Sequence, residues 1–265
     1  MLVTRFAPSP TGLLHLGHAY SALLAWDCAR RNAGRFLLRI EDIDPTRCRP
    51  ELAAAMLEDL AWLGIDWDGP VWEQSARMAD YAAALATVRG LGVIYPDDRT
   101  RREVEAGAHV RPADELAAEA DGGKPVAWRL DMRRAMERTG ALAWLEEDDV
   151  GAVREIAADP SPHGDVILAR KDVATSYHLA VTVDDAAQAI THVIRGRDLY
   201  DSTPVHRLLQ ELLGLPAPIY RHHELIADPA TGRRYAKSDG SVTLRHLRES
   251  GVTPAQIRER VGLAT

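Results

Sequence analysis

The sequence has few cysteines and no long apolar run. Cys28 and Cys48 are its only cysteines in 265 residues, and two cysteines without CxxC spacing build neither a disulfide framework nor a thiolate zinc cage. No apolar run approaches the ~20 residues that span a bilayer. Residues 1–6 lack the basic stretch and apolar region of a secretory signal. We therefore expect a cytoplasmic protein with reduced thiols and no membrane segment.

Positive charge is in deficit, and lysine is scarce. The 32 Lys and Arg residues against 39 Asp and Glu residues give a net charge of −7. A field of this sign disfavours indiscriminate binding of polyanions, so any contact with nucleic acid must be local. Lysine occurs only at Lys124, Lys171 and Lys237. Each of them merits attention, because lysine and arginine are not interchangeable at a phosphate.

Strands alternate with helices in the first 90 residues. An apolar stretch at 3–6 precedes a helical pattern that ends at Gly34, and a second strand at 35–40 precedes a helix that Pro50 opens. Both transitions follow the usual helix start and stop signals. Alternating strands and helices predict an α/β fold with a parallel sheet.

The pattern loosens after residue 90 and returns near residue 165. We interpret 91–164 as an inserted subdomain. Strands are predicted at 166–170 and 192–195, with an acidic turn at 184–185 between them. A helix with Thr203 as its N-cap and Pro204 at its first position comes next and ends at Gly214.

The last part of the chain combines one strand with short helices. The strand is predicted near 220–227, and Thr253 with Gln256 forms a capping box that opens the final helix.

The strongest chemical signal is the segment RFAPSPTGLLHLGH at residues 5–18. Proline and glycine stiffen a loop that brings His15 and His18 onto the first turn of a helix. Helix N-terminal amides and two imidazole donors suit the phosphates of ATP. Gly17 has no side chain to obstruct a base that approaches the backbone. The segment therefore predicts an ATP site formed by His15, Gly17 and His18.

This segment resembles the first signature of class I aminoacyl-tRNA synthetases, and in detail their glutamyl branch. Three further blocks match that family in order: RIEDIDPTR at 39–47, YHLAVTVDD at 177–185 and HVIRGRDLYDST at 192–203. Together the blocks anchor almost the whole chain up to about residue 240 to that family. The resemblance implies a Rossmann-like parallel sheet with an inserted α+β subdomain and a small helical C-terminal tail.

The domain boundaries follow from the same resemblance. We expect a catalytic domain at 1–240, with Rossmann-like halves at 1–90 and 165–215 around the insert at about 91–164, and a short helical tail at 241–265. Glutamyl-tRNA synthetases continue into a large anticodon-binding region. We do not expect such a region here, because only residues 239–265 follow Ser238. The layout resembles truncated paralogues of that branch, which form glutamyl-adenylate and transfer glutamate to the queuosine base of the tRNA(Asp) anticodon.

The second class I signature, KMSKS, is present only in altered form, as Arg234-Tyr-Ala-Lys237-Ser238. Its first lysine is arginine here, and its first serine is alanine. By its position, Lys237 is expected to bind ATP and to neutralise the phosphates while the α-phosphorus is attacked. The role of Arg234 stays open.

The reaction that the resemblance implies is attack of an amino-acid carboxylate on the α-phosphate of ATP. The products are an aminoacyl-adenylate and pyrophosphate. The attacking oxygen is already ionised at neutral pH, so catalysis is alignment and charge stabilisation, with Mg²⁺ accompanying ATP as substrate. We expect His15, His18 and Lys237 to be the catalytic residues.

A glutamate pocket requires cations for two carboxylates and an acid for one ammonium. The family positions imply eight glutamate-binding residues: Arg5, Phe6, Ala7, Pro8, Ser9, Glu41, Tyr177 and Arg195. We assign Glu41 to the substrate ammonium, and Arg5, Tyr177 and Arg195 to the side-chain carboxylate. Magnesium binding by Glu41 with the acids at 42 and 44 is the alternative.

No structural zinc is expected. Relatives often place cysteines directly after a Tyr-Pro pair in the insert, but here residues 95–96 are followed by Asp97, Asp98 and Arg99. Arginine does not ligate zinc, and His109 lacks a partner at a matching spacing.

The expected partners are L-glutamate, ATP and queuosine-containing tRNA(Asp), without a membrane. Local arginines near 99–102, or in the tail at 245–260, would contact RNA phosphates. Two alternatives stay open: a short glutamyl-tRNA synthetase that charges a tRNA 3′ end, and a non-catalytic nucleotide- or amino-acid-binding module. The sequence leaves the oligomeric state open, with a monomer as the expectation.

Overall fold

A computed structural model describes residues 1–100, 102–103, 106, 111–226 and 242–263. The strands are β1 (Val3–Phe6), β2 (Arg35–Ile40), β3 (Trp72–Glu73), β4 (Ile94–Asp97), β5 (Ala127–Leu130), β6 (Leu142–Glu147), β7 (Val153–Ala158), β8 (Ile167–Ala169), β9 (His192–Gly196) and β10 (Ile219–His223). The α-helices are α1 (Leu16–Arg31), α2 (Pro50–Trp62), α3 (Met78–Gly90), α4 (Ala113–Asp121), α5 (Met132–Thr139), α6 (Tyr177–Ala187), α7 (Thr203–Leu213), α8 (Leu244–Glu249) and α9 (Pro254–Arg260).

The central sheet is mostly parallel. Strands β1, β2 and β3 pair in parallel in that order, and β9, β10 and β6 do the same, with β7 antiparallel at the edge. Thr191 joins the two groups: its N–H donates to the Val3 carbonyl at 3.0 Å, and its hydroxyl accepts from the Val3 N–H at 2.8 Å. The strand order is therefore β3-β2-β1-β9-β10-β6-β7, and the predicted α/β class with a parallel sheet is confirmed.

The second sheet is small and antiparallel, in the order β4-β5-β8. The segments that form this sheet do not coincide with the insert expected at 91–164. Segment 142–158 forms β6 and β7, which extend the central sheet, whereas β8 at 167–169 pairs with β5. The expected insert thus contributes to both sheets, because strand pairing over long sequence separations decides which sheet a short strand joins.

Two local predictions need correction. Residues 184–185 form no turn, since α6 continues to Ala187. Thr203 is the first residue of α7 rather than its N-cap, which is Ser202. The helix does end at Gly214, whose φ of 63° is left-handed. In the tail, the capping box of Thr253 and Gln256 is confirmed.

The largest apolar cluster packs α1 and α2 against β2 and the tail helices. Leu23, Phe36 and Leu60 are fully buried, and Leu244 and Ile257 of the tail are fully buried in the same cluster. This packing fixes the N-terminal end of α1 beside the carboxyl end of β1. No helix in the part of the chain that the structure describes is long and apolar enough to cross a membrane.

Candidate active site

A cavity of about 620 Å³ opens between β1, β9 and the start of α1. It lies where the strand order reverses, at the carboxyl ends of parallel strands, which is where α/β sheets bind their ligands. Eleven residues predicted from the sequence line it: Arg5, Phe6, Ala7, Pro8, Ser9, His15, Gly17, His18, Glu41, Tyr177 and Arg195. The remaining predicted residue, Lys237, and Arg234 lie outside the described residues.

The two histidines close the start of α1 by a reciprocal capping arrangement. The Nδ1 of His15 accepts from the Gly17 N–H at 3.1 Å, and the Nδ1 of His18 accepts from the His15 N–H at 3.2 Å. With Nδ1 as the acceptor, a neutral imidazole carries its proton on Nε2. The cavity is therefore lined by two imidazoles held as Nε2 donors, and donors at the start of a helix suit phosphate oxygens.

Glu41 follows β2 and is buried, with 8% of its surface exposed. The Nη2 of Arg39 lies 3.7 Å from its Oε1. Burial raises the pKa of Glu41 to about 7, against the opposing charges of Arg39 and Arg5. Its carboxylate is thus a poorly solvated acid in the cavity wall, and a substrate ammonium would stabilise its ionised form.

The geometry does not favour magnesium binding by the acids at 41, 42 and 44. Asp42 accepts from the N–H and hydroxyl of Ser75 at 2.8 and 2.6 Å. Asp44 accepts from Thr46 and from Arg170, so its oxygens are already occupied. No group of three or more His, Cys, Asp or Glu side chains that could hold a metal exists within the described ranges.

Arg5 is held by a direct ion pair. Its Nε and Nη2 donate to the two oxygens of Asp185 at 3.1 and 3.3 Å. Arg39 donates to the same carboxylate at 2.8 Å. Burial raises the pKa of Asp185, but the two guanidinium groups outweigh it and leave the pKa lowered. The charge of Arg5 is therefore largely compensated by Asp185.

Arg195 is buried like Arg5 but has different partners. Its guanidinium donates to five neutral acceptors: His222 Nε2 at 3.0 Å, Thr203 Oγ1 at 2.8 Å, the Leu199 carbonyl at 3.1 Å, His206 Nδ1 at 3.3 Å and the Tyr177 hydroxyl at 3.5 Å. Burial, followed by the charge of Arg195, lowers the pKa of His206 well below its usual value, so this imidazole stays neutral. No carboxylate among the described residues forms an ion pair with Arg195, and a buried cation of this kind requires an anion.

A second cavity of about 470 Å³ meets the first at Ser9, Glu41 and Tyr177. Arg170 lines it, together with Thr175, whose hydroxyl is fully buried and has no hydrogen-bond partner among the residues that the structure describes. Two ligands could therefore meet at the three shared residues.

Several expected RNA contacts of the insert and tail are engaged within the protein. Arg99 pairs with Asp97 at 2.9 Å, and Arg258 donates to Asp27 at 3.0 and 3.1 Å. The pairing also occupies Asp97, the first residue after the Tyr-Pro pair at 95–96. Arg101 and His109 lie outside the described residues.

Several lining residues were missed by sequence reasoning. The cavity also contacts Tyr20, Ser21, Ile194, Gly196, Asp198, Leu199, His223, Leu225 and Ile226. Most of them lie within or beside the motif segments already quoted, so their neighbourhood in sequence was the available signal.

The fold and the cavity define a class of protein: an α/β fold with a cavity at the reversal point of a parallel sheet and two imidazole donors at the start of α1. The family model described as "tRNA synthetases class I (E and Q), catalytic domain" matches residues 1–264. The chain belongs to this family, and it is a ligase enzyme. The predicted family resemblance and class I fold are thereby confirmed, and the non-catalytic alternative is not supported.

Similar proteins refine the placement. A "Glutamyl-Q tRNA(Asp) synthetase" of Rhodobacter capsulatus is 45% identical over 99% of this chain and 100% of its own length. Another, of Symbiobacterium thermophilum, is 42% identical over 97% of this chain and 84% of its length. The crystal structure of a glutamate tRNA ligase from Elizabethkingia meningosepticum aligns with a TM-score of 0.73 at 28% identity, over 94% of this chain and 53% of that one. This chain thus spans about half of the solved ligase.

Proposed function

We propose that the chain activates L-glutamate with ATP and transfers the glutamate to the queuosine base in the anticodon of tRNA(Asp). The observation that carries glutamate activation is Arg195, a buried guanidinium with no carboxylate partner among the described residues, in the same cavity as the buried acid Glu41. A cation and an acid in one cavity complement an amino acid that has an acidic side chain. The names and identities of the two bacterial relatives support the same substrate.

The first step needs alignment more than proton transfer. Glu41 binds the substrate ammonium, while Arg195 and Tyr177, with Arg5 beside them, bind the side-chain carboxylate. The α-carboxylate oxygen then attacks the α-phosphorus of ATP, the bond to the β-phosphate oxygen breaks, and pyrophosphate leaves with its Mg²⁺. His15 and His18 donate to the phosphates, and Lys237 neutralises charge as it develops.

The second step needs room for an acceptor beside the adenylate. The cavity that contains Arg170 and Thr175 opens to the first cavity at Ser9, Glu41 and Tyr177. An acceptor hydroxyl that approaches from there would bond to the acyl carbon as the bond from that carbon to the AMP phosphate oxygen breaks, and its proton would leave with the AMP phosphate.

Glutamate-dependent exchange of pyrophosphate into ATP tests the first step. We expect exchange without RNA, because every group that the step needs lies in the chain. Glutamine is the matched control substrate and should be poor, since its neutral amide leaves Arg195 unpaired. Exchange that appears only after tRNA is added, or equal exchange with glutamine, would contradict this assignment.

The acceptor is tested separately with labelled glutamate. Identity of 45% and 42% to proteins named "Glutamyl-Q tRNA(Asp) synthetase" supports queuosine as the acceptor. We expect label in tRNA(Asp) that carries queuosine and none in tRNA(Asp) from cells unable to make it. Labelling of both would instead identify a synthetase that charges the 3′ end.

A further inference from the structure

A buried carboxylate–imidazole pair lies behind Arg195, outside the lining of the first cavity. Glu146 on β6 and His222 on β10 have side chains only 7% and 1% exposed. The His222 Nδ1 lies 2.9 and 3.0 Å from the two oxygens of Glu146. The opposite ring nitrogen, Nε2, lies 3.0 Å from the Nε of Arg195.

These contacts determine where the imidazole proton is. An ionised carboxylate only accepts and a guanidinium only donates. His222 must therefore carry its proton on Nδ1, toward Glu146, and present the lone pair of Nε2 to Arg195. Burial lowers the pKa of His222, which keeps the ring neutral.

Further contacts hold both members of the pair. Glu146 also accepts from the indole of Trp144 at 3.0 Å and from the backbone N–H of His222 at 3.1 Å. These bonds, with that from the His222 ring, outweigh burial and lower the pKa of Glu146. The Tyr220 ring is parallel to the His222 ring, at an interplanar angle of 1°. The imidazole is thus fixed in both position and tautomer.

We propose that His222 and Glu146 are a positioning pair that aims the Arg195 guanidinium at the side-chain carboxylate of the substrate and so favours glutamate over glutamine. The inference rests on the proposed function. Arg5 offers the internal contrast, because Asp185 contacts it directly and compensates its charge. At Arg195 a neutral ring stands between the guanidinium and the carboxylate, so the orientation is fixed while the positive charge stays available for substrate.

Two substitutions of one residue separate positioning from bulk structure. His222→Asn retains a donor for Glu146 but is too short to reach Arg195, whereas the longer His222→Gln brings an amide oxygen close to the position of Nε2. In glutamate-dependent exchange, we expect His222→Asn to raise the KM for glutamate about ten- to hundredfold, the effect of losing one hydrogen bond to a charged group. The KM for ATP and kcat should change little, and the preference for glutamate over glutamine should fall.

His222→Gln should recover most of the affinity for glutamate. Arg221→Gln is the matched control on the same strand. Arg221 pairs with Asp149 and is not among the contacts of Arg195 described above, so this substitution should leave both KM values unchanged. Equal effects of His222→Asn and His222→Gln, or a parallel rise in the KM for ATP, would overturn the proposal.

A second measurement needs no activity. Nitrogen-15 NMR of the wild-type imidazoles should find His222 protonated on Nδ1 and not on Nε2, and the reverse tautomer would overturn the proposal. Wild-type protein that shows this tautomer but no exchange with glutamate would refute the proposed function and leave the geometry of the pair intact. The two failures are therefore distinguishable.

Discussion

The raised pKa of Glu41 predicts how the KM for glutamate depends on pH. Burial raises the pKa of its carboxyl from 4.5 to about 7, aided by the like charges of Asp185 and Asp184 and opposed by Arg39 and Arg5. If the substrate ammonium binds the ionised carboxylate, the KM for glutamate follows the ionised fraction, about one half at pH 7 and about one eleventh at pH 6. We therefore expect a KM about fivefold higher at pH 6 than at pH 7, with little change above pH 8.

The KM for glutamate is measured by pyrophosphate exchange at saturating ATP, from pH 6 to pH 8.5. Glu41→Gln should raise the KM about ten- to hundredfold and remove its pH dependence. Asp42→Asn, a change of the neighbouring acid, should retain the wild-type profile. Between pH 4.5 and 7 the folded protein binds this proton more tightly than the unfolded chain, so the stability contributed by Glu41 falls as pH rises. Glu41→Gln should thus be no less stable at pH 8, and a wild-type KM that is flat from pH 6 to 8 would refute the assignment.

Four further predictions concern stability, catalysis and metal. Asp59 is fully buried, and within the described ranges neither of its oxygens has a hydrogen-bond partner, although Arg248 Nη2 lies 3.5 Å from its Oδ1. Burial raises the pKa of Asp59 to about 6. The contribution of Asp59 to stability falls as pH rises from about 4 to 6. Asp59→Asn should therefore raise the free energy of unfolding by about 1–3 kcal/mol at pH 7 and leave it nearly unchanged at pH 4. Urea denaturation that shows an equal increase at both pH values would contradict this. Gly34→Ala would place its Cβ 2.4 Å from the Leu2 carbonyl oxygen and should cost about 1–3 kcal/mol, so an unchanged melting temperature would show that this contact relaxes freely. Lys237→Ala should lower the exchange rate more than it raises the KM for glutamate, and the opposite pattern would remove Lys237 from the phosphate-transfer step. Metal analysis after dialysis should find no stoichiometric zinc, whereas about one zinc per chain would send the search to ligands in the insert.

Local signals in the sequence predicted many of the residues that line the site. The segment at 5–18 predicts its own geometry, because proline, glycine and a capping histidine restrict the backbone within a few residues. The structure places His15 as the N-cap of α1 and brings Glu41 and Arg195 to the same cavity. Residue roles assigned by resemblance stay predictions until binding is measured.

Contacts between segments distant in sequence could not be predicted from local signals. Glu146 and His222 are 76 positions apart, and neither has a spacing signal of its own. The acids at 184–185 suggested a turn, but Asp184 is buried in α6, where it accepts from Tyr81 at 2.8 Å and Arg77 at 2.9 Å. A buried acid and an exposed one look alike in a sequence, since only tertiary packing brings the partners together.

The position of the attached glutamate tests the central claim most directly. After incubation with glutamate, ATP and queuosine-containing tRNA(Asp), the RNA is digested to nucleosides under conditions that preserve the ester and is analysed by mass spectrometry. A parallel sample uses tRNA(Asp) without its 3′-terminal adenosine. The proposal predicts glutamylated queuosine in both samples. Glutamyl-adenosine from the intact tRNA, with no product from the shortened one, would contradict it and identify a synthetase that charges the 3′ end.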